Sequence, residues 1–491
     1  MSDDLKRETA KGVVWSGIDK IANGGIQFLA NIVLARLLTP KDFGLLAIIA
    51  IFIQISQTFI DSGFSNALIQ KKDRSQTDYS TVFFFNLALS IGFYVILFLC
   101  APFIAGFFEN DKLISLTKIV GLNLIIGALV SVHKTRLTIQ LRFKIQAVIS
   151  LISSFVSAVI AIWMAYNGYG VWSLVALTIT NITFQMALIY IMIKWRPSLL
   201  FSKTAFTSLF SYSSKLLGAS LIHLLYRNIY PIIIGKKFSP VELGYFNRAD
   251  TFAMYPPYMI GSVISRVAFP IFSRIQDDEA RLRNAYSKYI VFASLIIFPI
   301  LTGLLVLAEP LTLLILKKTW LPMVPMLQIL CIDWMTDHLC TINLNVLYVK
   351  GRSDLAFKLE LIKKSLALGI FFISLHWGII GVCWGRVLYG IIAVYLNSFY
   401  TKRLIKISLY QQLKDIATPL SQSAIMGAII YVYINSISLS IGWKILTAIS
   451  IGFISYYVTI RLLKAEYIKE VKQLLLLITK KRDNISDYPN Q

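Results

Sequence analysis

The feature that most constrains this chain is a succession of apolar stretches between residues 13 and 463. Because about 20 apolar residues in a helix cross the hydrocarbon core of a bilayer, each stretch is long enough to span a membrane. There are about fourteen, with connections of at most about 20 residues. They lie at 13–36, 43–66, 79–105, 113–132, 146–167, 170–194, 212–234, 242–268, 289–316, 323–348, 356–376, 379–401, 416–436 and 441–463. We predict an all-α polytopic membrane protein with about 14 transmembrane helices and no soluble catalytic domain.

The composition supports this fold class. Hydrophobic residues make up 56% of the 491 residues and charged residues only 15%, whereas soluble domains carry about 25%. The net charge of +23 would favour nucleic-acid binding in a soluble protein. Here the basic residues lie between apolar stretches, so we interpret them as topology signals and contacts to lipid head groups, and expect no nucleic-acid partner.

The cysteines and the N-terminal segment bear no further signal. All four cysteines lie in apolar stretches without metal-site spacing, so we expect neither a metal nor a cofactor. No small-residue cleavage site follows the first apolar stretch, and we therefore expect a retained membrane helix instead of a signal peptide.

The distribution of Lys and Arg predicts the orientation. Basic residues are far more frequent in one alternate set of connections, which includes Lys71 and Arg142, than in the set that includes Lys112 and Lys237. Cytoplasmic connections are enriched in Lys and Arg. We predict that both termini and residues 269–288 face the cytoplasm.

A short repeat divides the sequence. The hexamer at 39–44 reads TPKDFG and recurs at 239–244 as SPVELG. Each copy combines a Ser/Thr N-cap, a proline at the first helical position and a carboxylate that closes a capping box. Two further dipeptides, Gly170-Val171 and Gly381-Val382, each open a later stretch in the same way.

The repeat predicts two lobes of six helices, residues 1–200 and 201–405, followed by two helices and a basic cytoplasmic tail at 406–491. Because six is even, both lobes enter from the same side, as in transporters whose parallel repeats enclose a central cleft. A duplicated helical bundle without transport function is the alternative.

Charged residues inside the stretches are candidate functional residues, because a charge in the bilayer core usually faces a cavity or a partner. Asp19, Lys20 and Asp61 form either a gate or ion site, or a structural ion pair. Asp333 and Asp337 are one turn apart and can share a proton, which suits coupling to a proton or sodium gradient.

The second half of the chain contains arginines that lie far from the predicted cytoplasmic face. They are Arg227, Arg248 and Arg386, which either contact a substrate or pair with Asp250 and neighbouring carbonyls and leave no free charge. The segment at 255–258, YPPY, is expected to interrupt its stretch, either to line a substrate site or as an ordinary kink.

Four segments taken together resemble a known family. They are LARLLTP at 34–40 with Phe43-Gly44, LGYFNRA at 243–249, SRVAFP at 265–270 and WLPMVP at 320–325. From Lys11 to about Arg461 the chain resembles the polysaccharide-transporter branch of the multidrug/oligosaccharidyl-lipid/polysaccharide (MOP) flippase superfamily. This branch includes Wzx-type O-antigen and exopolysaccharide flippases.

The resemblance implies a flippase that moves undecaprenyl-diphosphate-linked oligosaccharides across the bacterial inner membrane by alternating access. The product is a surface polysaccharide such as O-antigen, capsule or exopolysaccharide. Membrane lipids, an ion gradient, a polysaccharide polymerase and other assembly proteins are the further expected partners. The planar guanidinium group of arginine can donate two parallel hydrogen bonds to the oxygens of a phosphate. We therefore expect Arg227, Arg248 and Arg386 to bind the lipid diphosphate.

Two other functions stay open. One is a multidrug or lipid-precursor exporter with the same fold. The other is a membrane polysaccharide polymerase or glycosyltransferase, but such enzymes usually carry a sizeable outward loop and every outward connection here is short. We therefore predict that the protein is not an enzyme.

Overall fold

A computed structural model describes residues 3–61, 64–71 and 73–463 of the chain. Within these ranges it does not describe the side chains of residues 3–14, 211–216, 218–223, 225–227, 262–267 and 270. The described ranges form α-helices and two short 3-10 segments, with no β-strand among them. The predicted all-α class is confirmed.

The helices follow one another with short connections. The first nine are α1 Asp3–Leu37, α2 Pro40–Asp61, α3 Phe64–Gln70, α4 Gln76–Phe107, α5 Lys112–Ile139, α6 Phe143–Tyr166, α7 Val171–Met192, α8 Lys203–Lys237 and α9 Pro240–Arg274. The others are α10 Glu279–Val306, α11 Ala308–Ile315, α12 Val324–Trp334, α13 Asp337–Val349, α14 Ser353–Ser374, α15 Gly378–Ile405, α16 Leu409–Ser436 and α17 Ile441–Leu463.

Each predicted apolar stretch falls on one helix or on two consecutive helices. In the described part of the chain, nine segments are long and apolar enough to cross a membrane. The helices α1, α8 and α9 are each 35 residues long but are not among them. A multi-pass membrane protein is therefore confirmed, while the number of fourteen spans stays a prediction.

Large apolar side chains cover the outside of the helices. Phe103 on α4 and Phe453 on α17 are each 78% exposed, and Ile391 on α15 is 59% exposed. Soluble monomers rarely expose large apolar surfaces, which here suit contact with lipid tails.

Contacts divide the chain into two compact units, Met1–Asn247 and Arg248–Gln491. In the first unit α4 packs on α5, α6 packs on both α1 and α7, and α2 packs on α5 and α8. In the second unit α10 packs on α16, α16 on α17, and α15 on α12, α13 and α14. The lobes predicted at 1–200 and 201–405 rest on the repeat and stay a prediction.

The repeated hexamer forms helix starts, as its sequence predicts. Ahead of α2, the Asp42 carboxylate accepts hydrogen bonds from the Thr39 N–H at 3.0 Å and from the Thr39 hydroxyl at 2.7 Å. Ahead of α9, the Glu242 N–H donates to the Ser239 hydroxyl at 3.1 Å. These bonds satisfy polar groups that a helix start leaves without an intrahelical partner.

The two helix starts also contact each other inside the first unit. A Cβ added to Gly44 would lie 1.7 Å from the carbonyl oxygen of Pro240. A Cβ added to Gly244 would lie 2.0 Å from the carbonyl oxygen of Pro40, and real Cβ atoms do not come within 3.0 Å of such atoms. Glycine at both positions therefore lets the two backbones touch.

A break of the helix at 255–258 is wrong, because α9 runs from Pro240 to Arg274, while an ordinary kink there stays a prediction. A proline removes only its own N–H bond, and long apolar helices accommodate this when neighbouring groups pack around the site. Between α12 and α13, residues 335–336 form a turn whose backbone torsions stay in the right-handed helical region.

Candidate functional site

A polar cavity of about 770 Å³ lies in the first unit. Its described lining consists of fifteen residues. Ten of them are polar, and all ten come from α2, α3 and α5. Small-molecule sites usually have volumes of about 300–1,000 Å³ and mainly apolar walls. This cavity has the volume of a ligand site, and its wall combines apolar surface with ten polar side chains.

One face of α5 supplies a line of cavity residues. Asn123, Gly127, Ser131, Lys134 and Thr138 are spaced by four, four, three and four positions, and all five line the cavity. This spacing keeps them on one face of the helix. The apolar stretch predicted at 113–132 ends before Lys134, whereas α5 continues to Ile139. The regular polar spacing along α5 is the sequence signal that identifies Lys134.

Lys134 brings together two of the carboxylates predicted as a gate or ion site. Asp61 lines the same cavity and accepts a hydrogen bond from Gln57 at 3.3 Å. Asp19 on α1 accepts a hydrogen bond from the hydroxyl of Ser150 on α6. Both carboxylates are close enough to Lys134 for their charges to interact with it. The third predicted member of this site, Lys20, is half-buried on α1.

A series of side-chain hydrogen bonds positions the ammonium group of Lys134. Its ammonium donates to the amide oxygen of Gln185, and the Gln185 amide nitrogen donates to Asn181. Asn181 donates in turn to Ser154 at 3.1 Å, and the Ser154 hydroxyl donates to Asn23. These residues belong to α5, α7, α6 and α1, so the network connects four helices and fixes the position of the ammonium group.

The second unit contains an ion-pair cluster around Arg386 of α15. The guanidinium lies 2.7 Å from Asp250 of α9 and 2.6 Å from Asp333 of α12. The indole N–H of Trp334 donates to Asp250 at 2.9 Å, and Arg386 lies 5.6 Å from the centre of the Trp334 ring. The structure thus brings together Arg386 and Asp333, two of the predicted site residues.

Asp333 and Asp337 lie on opposite sides of the helix break. α12 ends at Trp334 and α13 begins at Asp337, so the two carboxylates belong to consecutive helices that a two-residue turn separates. The neighbouring His338 is buried, and its Nε2 lies 2.8 Å from the Ser294 hydroxyl. Within this cluster the partner of Asp333 is an arginine, and a proton shared with Asp337 stays a prediction.

The other two predicted arginines are placed as follows. Arg248 is buried on α9, two residues before Asp250. Arg227 belongs to α8, but its side chain lies outside the described part of the structure.

Comparisons with known proteins connect this geometry to a family. TuaB, the teichuronic acid biosynthesis protein of Bacillus subtilis (strain 168), is 26% identical to this chain over 433 residues, which are 87% of this chain and 89% of TuaB. The lipopolysaccharide biosynthesis protein WzxC of Escherichia coli (strain K12) is 27% identical over 418 residues, 83% of this chain and 84% of WzxC.

The fold matches that of a solved transporter. A structure of the lipid II flippase MurJ in an inward closed conformation superposes with a TM-score of 0.74 and covers 94% of this chain and 100% of that one. The sequence identity is 16%, so this match establishes a shared fold.

A family model described as "Polysaccharide biosynthesis protein" matches residues 33–325, more than half of the chain. The resemblance drawn from the sequence motifs is therefore confirmed, and the chain belongs to this family of polysaccharide biosynthesis proteins.

Proposed function

We propose that this protein is a flippase that moves undecaprenyl-diphosphate-linked oligosaccharide units across the bacterial inner membrane for surface polysaccharide biosynthesis, by alternating access. The observation that carries the proposal is the polar cavity of about 770 Å³ inside a body of helices with membrane-spanning length. When an apolar ligand covers a polar group, that group loses its hydrogen bonds to water, and each group left without a partner costs about 1–3 kcal/mol of binding free energy. A cavity with ten polar side chains therefore favours a polar head group.

The relatives support this substrate class. TuaB and WzxC are named for the biosynthesis of teichuronic acid and of lipopolysaccharide, and this chain aligns with more than four fifths of each. The MurJ structure, which has the same fold, is named as a lipid II flippase. A lipid-linked saccharide is the substrate class that we carry over to this chain.

The protein acts as a transporter and not as an enzyme in this proposal. Among the described residues, the longest connection between consecutive helices is the ten-residue segment 193–202, which has no room for a catalytic domain. Both termini face the cytoplasm, in accordance with the Lys and Arg distribution. An ion gradient, a polysaccharide polymerase and other assembly proteins are the proposed partners.

We assign the charged residues as follows. Arg227, Arg248 and Arg386 bind the lipid diphosphate, and the substrate competes with Asp250 and Asp333 for Arg386. Asp333 and Asp337 couple transport to an ion gradient from their positions beside the helix break, since discontinuous helices often form ion sites in transporters.

Asp19, Lys20 and Asp61 form the gate or ion site of the first unit. Lys134 joins them, because its charge interacts with both carboxylates.

The first test is transport itself. Purified protein is reconstituted into vesicles that contain the lipid-linked repeat unit of the source strain, and the fraction of this lipid accessible from outside is followed with time. We expect the lipid-linked repeat unit to move across the vesicle membrane at a rate that an excess of cationic drug does not lower. Drug transport without movement of the lipid would support the multidrug exporter instead, and new sugar linkages in the product would support an enzyme.

The second test concerns Arg227. Loss of a charge-assisted phosphate contact costs about 1.5–3 kcal/mol, or about 10–150-fold in affinity. We expect Arg227→Ala to insert normally yet fail to restore surface polysaccharide in a flippase-null strain, and Arg227→Lys to restore part of it.

Arg142→Ala is the matched control, because Arg142 is exposed in a connection between helices. Its polysaccharide level should equal that of the wild type. A wild-type level from Arg227→Ala at equal membrane abundance would remove Arg227 from the substrate site.

A further inference from the structure

Eight of the fifteen described lining residues of the first-unit cavity have uncharged polar side chains. Gln57, Asn66 and Asn123 supply amides, and Thr58 and Ser131 are among the residues that supply hydroxyls. Amides and hydroxyls both donate and accept hydrogen bonds. Sugar hydroxyls also donate and accept, so a saccharide can form hydrogen bonds with both the donors and the acceptors of this wall.

The charges of the described lining residues do not suit a diphosphate. Lys134 is the one cation among its described lining residues, and Asp61 lines the same space. In the described lining one carboxylate, that of Asp61, therefore offsets the one ammonium group, and the Lys134 charge interacts with Asp19 as well. A lipid diphosphate carries more than one negative charge and binds where cations exceed anions.

Asn123 offers a hydrogen-bond acceptor that the described protein groups do not use. Its amide nitrogen donates to the Thr178 hydroxyl at 3.4 Å. Its Oδ1 is buried, and within the described part of the chain it has no hydrogen-bond partner. A buried acceptor without a partner costs about 1–3 kcal/mol, and a rotation of the Asn123 side chain toward the cavity would let a ligand hydroxyl donate to it.

The geometry points to this cavity as the binding site for the uncharged, hydroxyl-rich sugar part of the substrate, with the diphosphate bound elsewhere. This assignment rests on the proposed flippase function and specifies it further. The cavity selects substrates by their glycan, whereas arginines such as Arg227 contact the part that all undecaprenyl diphosphate substrates share.

Gly127 provides a direct steric test. It lies on the cavity wall, and a Cβ added there would meet only the side-chain amide of Gln57, at 3.6 and 4.0 Å. Gly127→Leu therefore fills cavity space without removing a polar group. Asn123→Leu is the complementary change, since it keeps a similar volume and removes the hydrogen-bonding amide.

Gly92→Leu is the matched control. Gly92 lies on the exposed side of α4, where an added Cβ meets nothing within 4 Å. Variants are compared at equal thermal stability of the purified full-length protein, and Gly127→Ala serves as a milder version if Gly127→Leu does not fold.

Binding is measured with three probes: the lipid-linked repeat unit extracted from the source strain, undecaprenyl diphosphate without sugar, and the free repeat-unit oligosaccharide. We expect Gly127→Leu and Asn123→Leu to weaken binding of both sugar-bearing probes by at least about 10-fold, which corresponds to about 1.4 kcal/mol. Binding of undecaprenyl diphosphate should stay unchanged, as should every affinity of Gly92→Leu.

The outcomes separate this inference from the proposed function. Equal losses for undecaprenyl diphosphate and the sugar-bearing lipid would place the diphosphate in the cavity and overturn the inference, as would unchanged affinities in both variants. If wild-type protein does not move the lipid in vesicles, the proposed function fails. Even then, the cavity would be supported as a sugar site if the wild-type protein binds the free oligosaccharide and Gly127→Leu does not.

Discussion

The contact between the two helix starts predicts an unusual sign for a glycine-to-alanine substitution. Inside a helix this change normally stabilises a protein, by up to about 1 kcal/mol, because alanine has the higher helix propensity. At Gly44 the new methyl group would lie 1.7 Å from the Pro240 carbonyl oxygen. We therefore expect Gly44→Ala to destabilise the protein.

The magnitude follows from what must move. The Cβ-to-oxygen distance has to increase from 1.7 Å to at least 3.0 Å, and the opposing atoms are backbone atoms that cannot change rotamer. Overpacking costs about 1–3 kcal/mol even where side chains can yield. We expect about 3 kcal/mol for Gly44→Ala, which exceeds the gain in helix propensity.

The assay is thermal unfolding of purified protein in one detergent, with Gly92→Ala as the control. An added Cβ at Gly92 meets nothing within 4 Å, so this variant should unfold at or above the wild-type temperature. Gly44→Ala should unfold well below it.

The double variant Gly44→Ala/Gly244→Ala tests whether the two glycines share one contact. Because the first substitution already separates the helix starts, the second should cost much less than it does alone. A Gly44→Ala protein as stable as Gly92→Ala would refute the close backbone contact.

The topology and the ion coupling give two further predictions. Single cysteines next to Lys237 and Lys318 should react with an impermeant reagent in intact cells, whereas labelling at Asp278 would reverse the proposed orientation. Asp337→Asn should weaken the dependence of transport on the ion gradient without loss of protein stability. Asp333→Asn removes a carboxylate that lies 2.6 Å from Arg386, so it should also lower the unfolding temperature. A normal gradient response in both variants would show that neither aspartate couples transport to the gradient.

Local chemistry made much of the fold predictable. Stretches of about 20 apolar residues correspond to helices because a helix satisfies all of its own backbone hydrogen bonds in an apolar solvent. The capping pairs Thr39–Asp42 and Ser239–Glu242 were equally predictable, since they act over three residues. The contact between these two helix starts was not, because it depends on how helices 200 residues apart pack.

The site was predictable only in part, for the same reason. The charges of Asp333 and Arg386 marked them as residues that need partners, but the sequence could not show that they would pair with each other. Lys134 lies beyond the end of the apolar stretch predicted at 113–132, although α5 continues to Ile139. A helical polar spacing carries more information than charge alone.

The Arg386 cluster has a consequence for the order in which the chain is made. Its carboxylates, Asp250 and Asp333, precede Arg386 in the sequence by 136 and 53 positions. If these helices enter the membrane one after another, both acids enter before Arg386 can neutralise them, and an acid costs about 2.5–3.5 kcal/mol at a helix centre. A chain that stops before α15 would keep two such acids in lipid. Incomplete chains should therefore be retained at the insertion machinery or degraded, and synthesis of α15 is the step after which the second unit can assemble.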